Sequence, residues 1–440
     1  MKTLTKRSIH SILMACLGLM ISHITLAKPF ATTQWHTKNG ALVIFYEAMD
    51  VPMLNISIGF AAGSAYDGET FGISRLTTQL LNQGNNGLSS NVLAKELAAT
   101  GAQYDAESNK DMVILNLKTL TTPTQLKKAN DLFSLIISHP DFPIDSFTRE
   151  KQQQLMAIKQ SQELPDEMAN QTFFQILYKN HPYGHPNLGN RESVQALTIE
   201  AVHHFYKQFF VSNNAIIILA GAVDKSTAEA LAEQLTNNLP QGDAAAAIPP
   251  AEALHEEINI EIPFSSSQTI LRLGQLGVDH HGNNNFALQV GNYILGGGSL
   301  TSKLSEELRE KRALTYGIYS QLAPMPGKGP FLISFSTRHR QAKRAKELTR
   351  EILTNFIKIG PSTDELQAAK QYLTGSFPLS LTGNRNIATM LLKIAFYHLP
   401  DDYLQTYIEH INAVTTEEIK TAFQQLIHPN KLLEIAVGRP

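Results

Sequence analysis

Two stretches of the chain show the same order of apolar and polar positions and align without a gap, residues 194–221 and residues 411–438. Each starts with an amphipathic segment that opens on a threonine, Thr198 or Thr415, with a glutamate two residues later. Such a threonine caps a helix, and an acidic side chain is favourable in the first turn. Each stretch ends, after a short turn, in six mostly apolar residues that are typical of a buried strand. The pattern predicts one helix–turn–strand unit that occurs twice.

A second pair of elements repeats in the same order. Residues 112–117 are predicted to form a strand before a helix over about 125–137, and residues 331–336 a strand before a helix over about 341–357. Both pairs are offset by close to half the chain. Two such pairs in one order indicate two homologous halves.

Between the halves, residues 241–251 combine small side chains with a pair of prolines, which is typical of an exposed linker. Strands are also predicted over 42–46 and 54–59. The expected fold is therefore α+β, with two homologous domains that each pack a mixed β-sheet with helices and that a linker joins into a clamshell. The predicted boundaries are 28–240 for the first domain, 241–255 for the linker and 256–440 for the second domain.

The first 27 residues have the three-part pattern of a secretory signal peptide. Three basic residues precede an apolar run over about 9–24, and Ala27 stands at the predicted cleavage site. A membrane anchor is the disfavoured alternative, because the run is short and is interrupted by His10 and His23. Lipidation of Cys16 is disfavoured because that residue lies deep within the run. The leader predicts a periplasmic protein.

The composition of the chain excludes several classes of function. The chain of 440 residues carries a net charge of −2, and because the leader holds three basic and no acidic residues, the mature chain is near −5. Cys16 is the single cysteine, so the mature chain has no thiol, which suits an oxidising compartment and excludes thiolate catalysis. No basic block indicates nucleic acid as a partner. No apolar stretch after residue 27 is long enough to span a bilayer.

Several short motifs lie in order along both halves. The first half contains GSAYD at 63–67, a helix predicted from Gly72, and HPYGHP at 181–186. The second half contains LGGGSLTSKL at 295–304 and ELREKRALTY at 307–316, which is the most specific block. With these motifs the mature chain resembles the pitrilysin/insulinase metallopeptidase family, in its processing-peptidase-like branch, over nearly its whole length.

The resemblance implies a zinc-binding H-x-x-E-H helix where this chain has Arg75, Thr78 and Gln79. Arg75 and Gln79 stand at the two His positions, where a permanent cation repels a metal ion and glutamine is a poor zinc ligand. Thr78 stands at the Glu position, and threonine is no general base near neutral pH. Glu150 is the counterpart of the family's third ligand, and one carboxylate cannot hold catalytic zinc. The chain is therefore expected to bind no zinc, with Glu150 either a solvated helix carboxylate or a new partner of Arg75.

The resemblance also implies that Arg309 and Tyr316 match the pair with which the family holds substrate over the metal. Arginine offers a fixed fork of donors to carbonyl oxygens, and a tyrosine hydroxyl can stabilise an oxyanion. Ser299 is the predicted N-cap of a helix that runs to about Lys311, and Tyr316 is expected to begin the next strand. The alternative is a surface arginine and a half-buried strand tyrosine without a role in binding.

Together these features predict a non-catalytic, substrate-positioning subunit of a heteromeric secreted zinc peptidase, whose zinc lies in a homologous partner with an intact H-x-x-E-H helix. Peptide is the expected substrate, and hydrolysis would belong to the complex. Two alternatives stay open: a peptide-binding or scaffold protein without a role in hydrolysis, and a self-sufficient hydrolase with a relocated metal site. His181 and His185 have a spacing that could suggest metal binding, but the prolines and the glycine around them favour a structural turn.

Overall fold

A computed structural model of the protein describes residues 30–439. The predicted signal peptide over 1–27, its cleavage site at Ala27 and the alternative of lipidation at Cys16 lie outside the described residues. Among residues 30–439, no helix is both long enough and apolar enough to cross a membrane.

Thirteen strands and fifteen α-helices make up the described part of the chain. The strands are β1 (Thr32–His36), β2 (Leu42–Glu47), β3 (Met53–Phe60), β4 (Gly84–Asn85), β5 (Leu88–Ser89), β6 (Gln103–Ser108), β7 (Val113–Leu120), β8 (Ala215–Gly221), β9 (Ile258–Pro263), β10 (Gln268–Leu276), β11 (Ile318–Leu322), β12 (Pro330–Arg338) and β13 (Leu433–Gly438). The helices are α1 (Ile73–Leu80), α2 (Ser90–Ala99), α3 (Pro123–Ser138), α4 (Ile144–Gln162), α5 (Pro165–Tyr178), α6 (Arg191–Ala196), α7 (Ile199–Phe209), α8 (Lys225–Thr236), α9 (Asn285–Asn292), α10 (Lys303–Ser305), α11 (His339–Ile359), α12 (Thr363–Ser380), α13 (Asn384–Phe396), α14 (Tyr403–Ala413) and α15 (Thr416–Leu426). Two π-helical segments, Tyr293–Gly297 and Glu306–Glu310, follow α9 and α10.

The two large sheets have the same strand order. The first runs β1-β2-β8-β3-β7-β6 and the second runs β11-β12-β10-β13-β9. Without β1, the first sheet reads β2-β8-β3-β7-β6, and the second sheet, read from its other end, is β9-β13-β10-β12-β11, so the strands correspond one to one. In each sheet the first pair, β2 with β8 and β9 with β13, is parallel. All other neighbouring strands compared in this way are antiparallel. The predicted α+β fold with two homologous mixed sheets is confirmed.

The register of the sheets reproduces the ungapped sequence alignment. Ile216 and Leu433 occupy matching positions in that alignment, and they pair with Gly59 of β3 and Gly274 of β10. The duplicated helices also match, because Thr198 caps α7 and Thr415 caps α15 through their side-chain oxygens. The internal repeat in the sequence therefore corresponds to a structural repeat.

Each sheet is covered by a helix from the other half of the chain. Helix α5 belongs by sequence to the first half but packs on β10 and β13, and α13 of the second half packs on β3 and β8. A Cβ at Gly274 would lie 2.8 Å from the ring of Phe173 in α5, and a Cβ at Gly59 would lie 2.8 Å from Leu392 in α13. The two glycines thus give room for a large side chain from the opposite half, which explains why central strands contain them.

The segment that joins the halves is mostly exposed over 241–250 and is partly buried at its end. Residues 241–257 contain no helix or strand, but Ala251 and Leu254 are buried against α5 and the second sheet. The Ala251 backbone N–H donates to the Gly327 carbonyl at 2.9 Å, and the Pro249 carbonyl lies 2.7 Å from His181 Nε2. The exposed linker that the sequence indicates over 241–251 corresponds to mostly exposed residues, while Ala251 and Leu254 at its end complete the core beside α5.

Candidate functional site

Helix α1, where the resemblance places the zinc motif, is fixed at its start by Asp67. The carboxylate of Asp67 accepts from the Gly72 N–H at 2.6 Å and from the Ser74 N–H at 3.0 Å. Burial raises the pKa of Asp67 to about 8, against the opposing effect of these two donors and of Lys110. The residue belongs to the GSAYD motif, but nothing in its spacing predicted that it caps this helix.

The three motif positions on α1 hold side chains without metal-binding chemistry. Thr78 is 2% exposed, and its hydroxyl donates to the Ser74 carbonyl of its own helix at 2.7 Å. Arg75 and Gln79 are half-buried. Within residues 30–439, Arg75 forms no ion pair within 4.0 Å. The helix packs against α4 and against the sheet-edge strand β6.

Glu150 lies on α4, the helix that packs against α1, but it does not behave as expected. Its side chain is only 11% exposed, and its carboxylate is 3.3 Å from Nε of the neighbouring Arg149. The carboxylate is therefore mostly buried rather than solvated, and its ion-pair partner among residues 30–439 is Arg149 and not Arg75.

These residues do not fit a catalytic zinc ion. A zinc site of this kind needs three nitrogen or oxygen ligands, and here Glu150 is the one suitable group beside a cation, an internally bonded hydroxyl and an amide. Among the described residues, no group of three or more His, Cys, Asp and Glu side chains could hold a metal ion.

Arg309 and Tyr316 lie next to each other in the second half. The Arg309 guanidinium carbon is 5.1 Å from the centroid of the Tyr316 ring, the distance of a cation–π contact. Nε of Arg309 lies 3.4 Å from Glu310, and the arginine side chain is 28% exposed. The structure thus brings together the two residues that the sequence singled out seven positions apart.

The Tyr316 ring is 86% exposed although its backbone is firmly held. The Thr315 hydroxyl lies 2.7 Å from the Ser336 carbonyl and 2.9 Å from the Gly317 carbonyl, and it accepts from the Gly317 N–H at 3.2 Å. Leu314 on the other side is buried. An aromatic ring presented to solvent from an anchored turn is positioned to contact another molecule.

Two local predictions around this pair are wrong. Ser302, and not Ser299, caps the helix, since its hydroxyl accepts from the Ser305 N–H, and Ser299 lies in a preceding 3₁₀ turn with φ 52°. The helix continues as the π-helical segment Glu306–Glu310. Tyr316 precedes the next strand by two residues, because the Thr315 hydrogen bonds turn the chain before β11 begins at Ile318.

A cavity of about 250 Å³ opens beside the pair. Arg338 and Gln341, at the junction of β12 and α11, line it together with Arg309 and Tyr316. Oε1 of Gln341 is buried without a hydrogen-bond partner among the described residues. Sequence reasoning missed both residues, because their link to Tyr316 depends on β12 pairing with β11.

The histidines with metal-like spacing form a structural turn, as predicted. His181 Nδ1 accepts from the Tyr183 N–H at 3.1 Å, and Pro182–Gly184 is a 3₁₀ turn. The His185 ring stacks on Phe71 with centroids 4.2 Å apart, and burial lowers the pKa of His185 to about 4.

A buried polar cluster at the contact between the halves was not predicted. Asp111 accepts from the Tyr183 hydroxyl at 2.6 Å and from the Tyr397 hydroxyl at 2.9 Å, and Tyr397 follows α13 of the other half. Burial raises the pKa of Asp111 above its usual range. The three residues are far apart in the sequence, and no motif joins them.

Comparison with known proteins identifies the family to which this fold belongs. The family model described as insulinase (peptidase family M16) matches residues 43–191, and the model described as peptidase M16 inactive domain matches residues 196–373. A crystal structure of a peptidase M16 inactive domain from Pseudomonas fluorescens is 34% identical, covers 93% of this chain and 98% of its own, and superposes with a TM-score of 0.90. The chain belongs to peptidase family M16.

Two further relatives show the range of the family. A protein of Helicobacter pylori (strain ATCC 700392 / 26695) named non-peptidase homolog YmxG is 26% identical, over 86% of this chain and 87% of its own length. The periplasmic protease PqqL from Escherichia coli has the same fold with a TM-score of 0.79 at 17% identity, and the match covers 94% of this chain but 46% of PqqL. The relation to inactive and non-peptidase members supports a lack of catalytic activity in this chain.

Proposed function

We propose that this chain is a non-catalytic, substrate-positioning subunit of a secreted zinc peptidase that acts on peptides or unfolded protein segments. A homologous second chain with an intact H-x-x-E-H helix holds the zinc, and hydrolysis belongs to the complex. The observation that carries the proposal is Tyr316, a tyrosine that is 86% exposed on an anchored turn and in contact with Arg309.

The chemistry of the pair suits peptide positioning. The Tyr316 hydroxyl is a neutral donor that stabilises an oxyanion once it is placed against a reacting carbonyl. The Arg309 guanidinium offers several donors in a fixed plane to backbone carbonyl oxygens. Because the guanidinium lies over the ring, each side chain limits the motion of the other, and less conformational entropy is lost on binding.

An edge strand near the altered motif offers a place for the peptide itself. Strand β6 ends the first sheet, so one side of it has backbone groups free to pair, and α1 packs beside it. An extended peptide can add to such an edge through main-chain hydrogen bonds. In this proposal the edge holds one stretch of the peptide, and the Arg309–Tyr316 pair holds the stretch that enters the metal site of the partner subunit.

The relatives support a two-unit assembly outside the cytoplasm. The match covers only 46% of PqqL, so that periplasmic protease is long enough to contain a second unit of this size in one chain. In the present protein the second unit would be a separate chain. The leader predicted over residues 1–27 would deliver the mature chain to the periplasm.

The test is reconstitution of activity with a secreted family M16 chain from the same genome that carries H-x-x-E-H. The mixture should cleave a quenched fluorescent peptide, and Tyr316→Phe should lower kcat by about 10²–10³, the effect of removing one oxyanion donor. Arg309→Ala should mainly raise KM. Tyr319→Phe and Arg191→Ala are matched controls, since they make the same chemical changes at other exposed positions and should leave both constants unchanged.

Equal activity of Tyr316→Phe and the unchanged chain would refute substrate positioning. The second candidate function would then apply, a peptide-binding or scaffold protein without a role in hydrolysis. The relative named a non-peptidase homolog favours this alternative. Peptide binding that persists in Tyr316→Phe, together with an active partner that needs this chain only for stability, is the result that identifies it.

A further inference from the structure

Four exposed cations crowd the junction of β12 and α11. Arg338 ends β12, and Arg340, Lys343 and Arg344 lie in the first two turns of α11. We call these four residues the basic surface. It stands out on a chain whose net charge is negative.

The basic surface lacks ion-pair partners in the described part of the chain, and the next carboxylate along α11 is Glu347, one turn after Lys343. Within residues 30–439, none of its four members forms an ion pair within 4.0 Å, and the first turn of α11 contains no acidic residue. Farther along the same helix, Lys346 and Arg350 bind Glu434 at 3.0 Å and 2.5 Å. The later cations therefore stabilise the fold, whereas the first four are left to solvent.

Their position is unfavourable for the isolated chain. A cation near the start of a helix, as Arg340 is, faces the positive end of the helix dipole, which disfavours it. Mutual repulsion among four like charges adds to this cost. An anionic ligand would relieve both effects.

The basic surface is continuous with the cavity beside Tyr316. Arg338 lines that cavity together with Arg309, and so does Gln341, whose buried Oε1 lacks a hydrogen-bond partner. A buried acceptor of this kind needs an N–H or O–H donor. A peptide backbone supplies N–H donors for Gln341 and carbonyl oxygens for Arg309, and acidic side chains supply the carboxylates that the cations lack.

We propose that the basic surface binds acidic segments of peptides whose backbone lies in the Arg309–Tyr316 cavity, so that this chain selects acidic substrates. The proposal rests on the proposed function, because it assumes that the cavity holds peptide. A peptide is favoured over an anionic lipid surface because the cations adjoin the Arg309–Tyr316 cavity, whose donors match the carbonyl oxygens of a peptide backbone. It is favoured over nucleic acid because four cations form a small basic area on a mature chain with a net charge near −5, which repels a polyanion.

The experiment measures binding of labelled peptides to the mature full-length chain by fluorescence anisotropy. Three peptides of about 12 residues share one neutral core and differ only in a flank of about four Glu, Gln or Lys residues. The Glu peptide should bind at least about 10-fold more tightly than the Gln peptide at about 50 mM salt, and the difference should shrink at about 300 mM. The Lys peptide should bind most weakly.

Two matched variants distinguish an effect of the basic surface from an effect of the net charge of the chain. Arg340→Gln, Lys343→Gln and Arg344→Gln combined should remove the preference for Glu over Gln while leaving affinity for the Gln peptide unchanged. The control combines Lys159→Gln, Lys207→Gln and Lys358→Gln, exposed lysines of which Lys358 lies at the far end of α11. It makes the same change in net charge and should keep the preference. Both variants should retain the melting temperature, since glutamine is a good helix former.

Each other outcome counts against the proposal in a distinct way. If all three peptides bind equally and Arg309→Ala weakens them, selection by the basic surface is refuted while peptide positioning stands. If no peptide binds, both proposals fail. If the control variant loses the preference as fully as the α11 variant, the effect is nonspecific. Tighter binding of a DNA duplex or of phosphatidylglycerol vesicles, lost in the α11 variant, would assign the surface to a different partner.

Discussion

Helix α1 and the turn at Tyr316 lie in two halves with one strand order, yet they present opposite kinds of surface. On α1 the motif positions are half-buried or buried, and the Thr78 hydroxyl donates to a backbone carbonyl of the same helix. At the turn, hydrogen bonds hold the backbone while Tyr316 and Arg309 keep donors available. The comparison teaches that loss of metal chemistry in one half need not disturb the other, because each site is built on its own sheet.

The variant with the largest expected effect restores a metal site in the first half. In Arg75→His, Thr78→Glu, Gln79→His combined, two imidazoles on α1 and Glu150 on the adjacent α4 would supply three ligands. We expect about one zinc ion per chain by atomic absorption, and none in the unchanged protein. Adding Glu150→Gln to the variant should abolish binding.

Failure of the restored variant to bind zinc, with the fold intact by circular dichroism, would show that α1 and α4 do not converge on a metal position. One tightly held zinc in the unchanged protein would instead support the alternative of a relocated metal site.

A second test concerns the physical link between the halves. Phe173→Ala removes a fully buried ring of α5 from the second sheet and should lower the free energy of unfolding by about 3–5 kcal/mol. Phe133→Ala makes the same change within the first core and is the matched control. Because helices are exchanged between the sheets, both variants should shift a single transition in denaturant. Two separated transitions for Phe173→Ala would show that the halves unfold independently.

The smallest expected effect is a pH dependence at the contact between the halves. The His280 ring stacks on Tyr397 with centroids 3.9 Å apart, and burial lowers the pKa of His280 to about 4. Between pH 6.5 and 4 the unfolded chain takes up a proton at this residue that the folded chain does not, so stability falls as the pH falls. From pH 7 to 5 these two pKa values correspond to about 2 kcal/mol, and because the ring is partly exposed and solvent screens it, the unchanged protein should lose about 1 kcal/mol more than His280→Phe, which keeps an aromatic ring but cannot titrate.

Denaturant unfolding at the two pH values measures this difference. Parallel losses in the two proteins would mean that His280 is not protected from protonation in the folded state.

Local sequence patterns predicted the helices and strands well but predicted poorly which of them pack against each other. The duplicated units over 194–221 and 411–438 were recognised because capping and burial leave a repeated pattern in adjacent residues. Ser299 was mistaken for the helix cap because another serine, Ser302, stands three residues later, and only the backbone angles distinguish them. Glu150 was expected in solvent because the position of α4 against α1 is invisible in its own sequence.

The sequence pattern also did not predict which sheets α5 and α13 pack against. An amphipathic helix shows that it buries one face but not which sheet covers it. Gly59 and Gly274 were a usable signal, since glycine within a strand marks a close approach, but the approaching side chains come from the opposite half.

The sequence by itself determined that the chain has two repeated α+β halves, that Arg309 and Tyr316 are present seven residues apart, and that Arg75, Gln79 and Thr78 stand where the family resemblance implies two zinc ligands and a general base. These facts depend on residue type and spacing along the chain. The tertiary structure decided that Arg309 lies over the Tyr316 ring, that Arg338 and Gln341 join them, and that each sheet is closed by a helix of the other half. These depend on contacts between distant segments, whose free energy is set by packing and burial that no local pattern records.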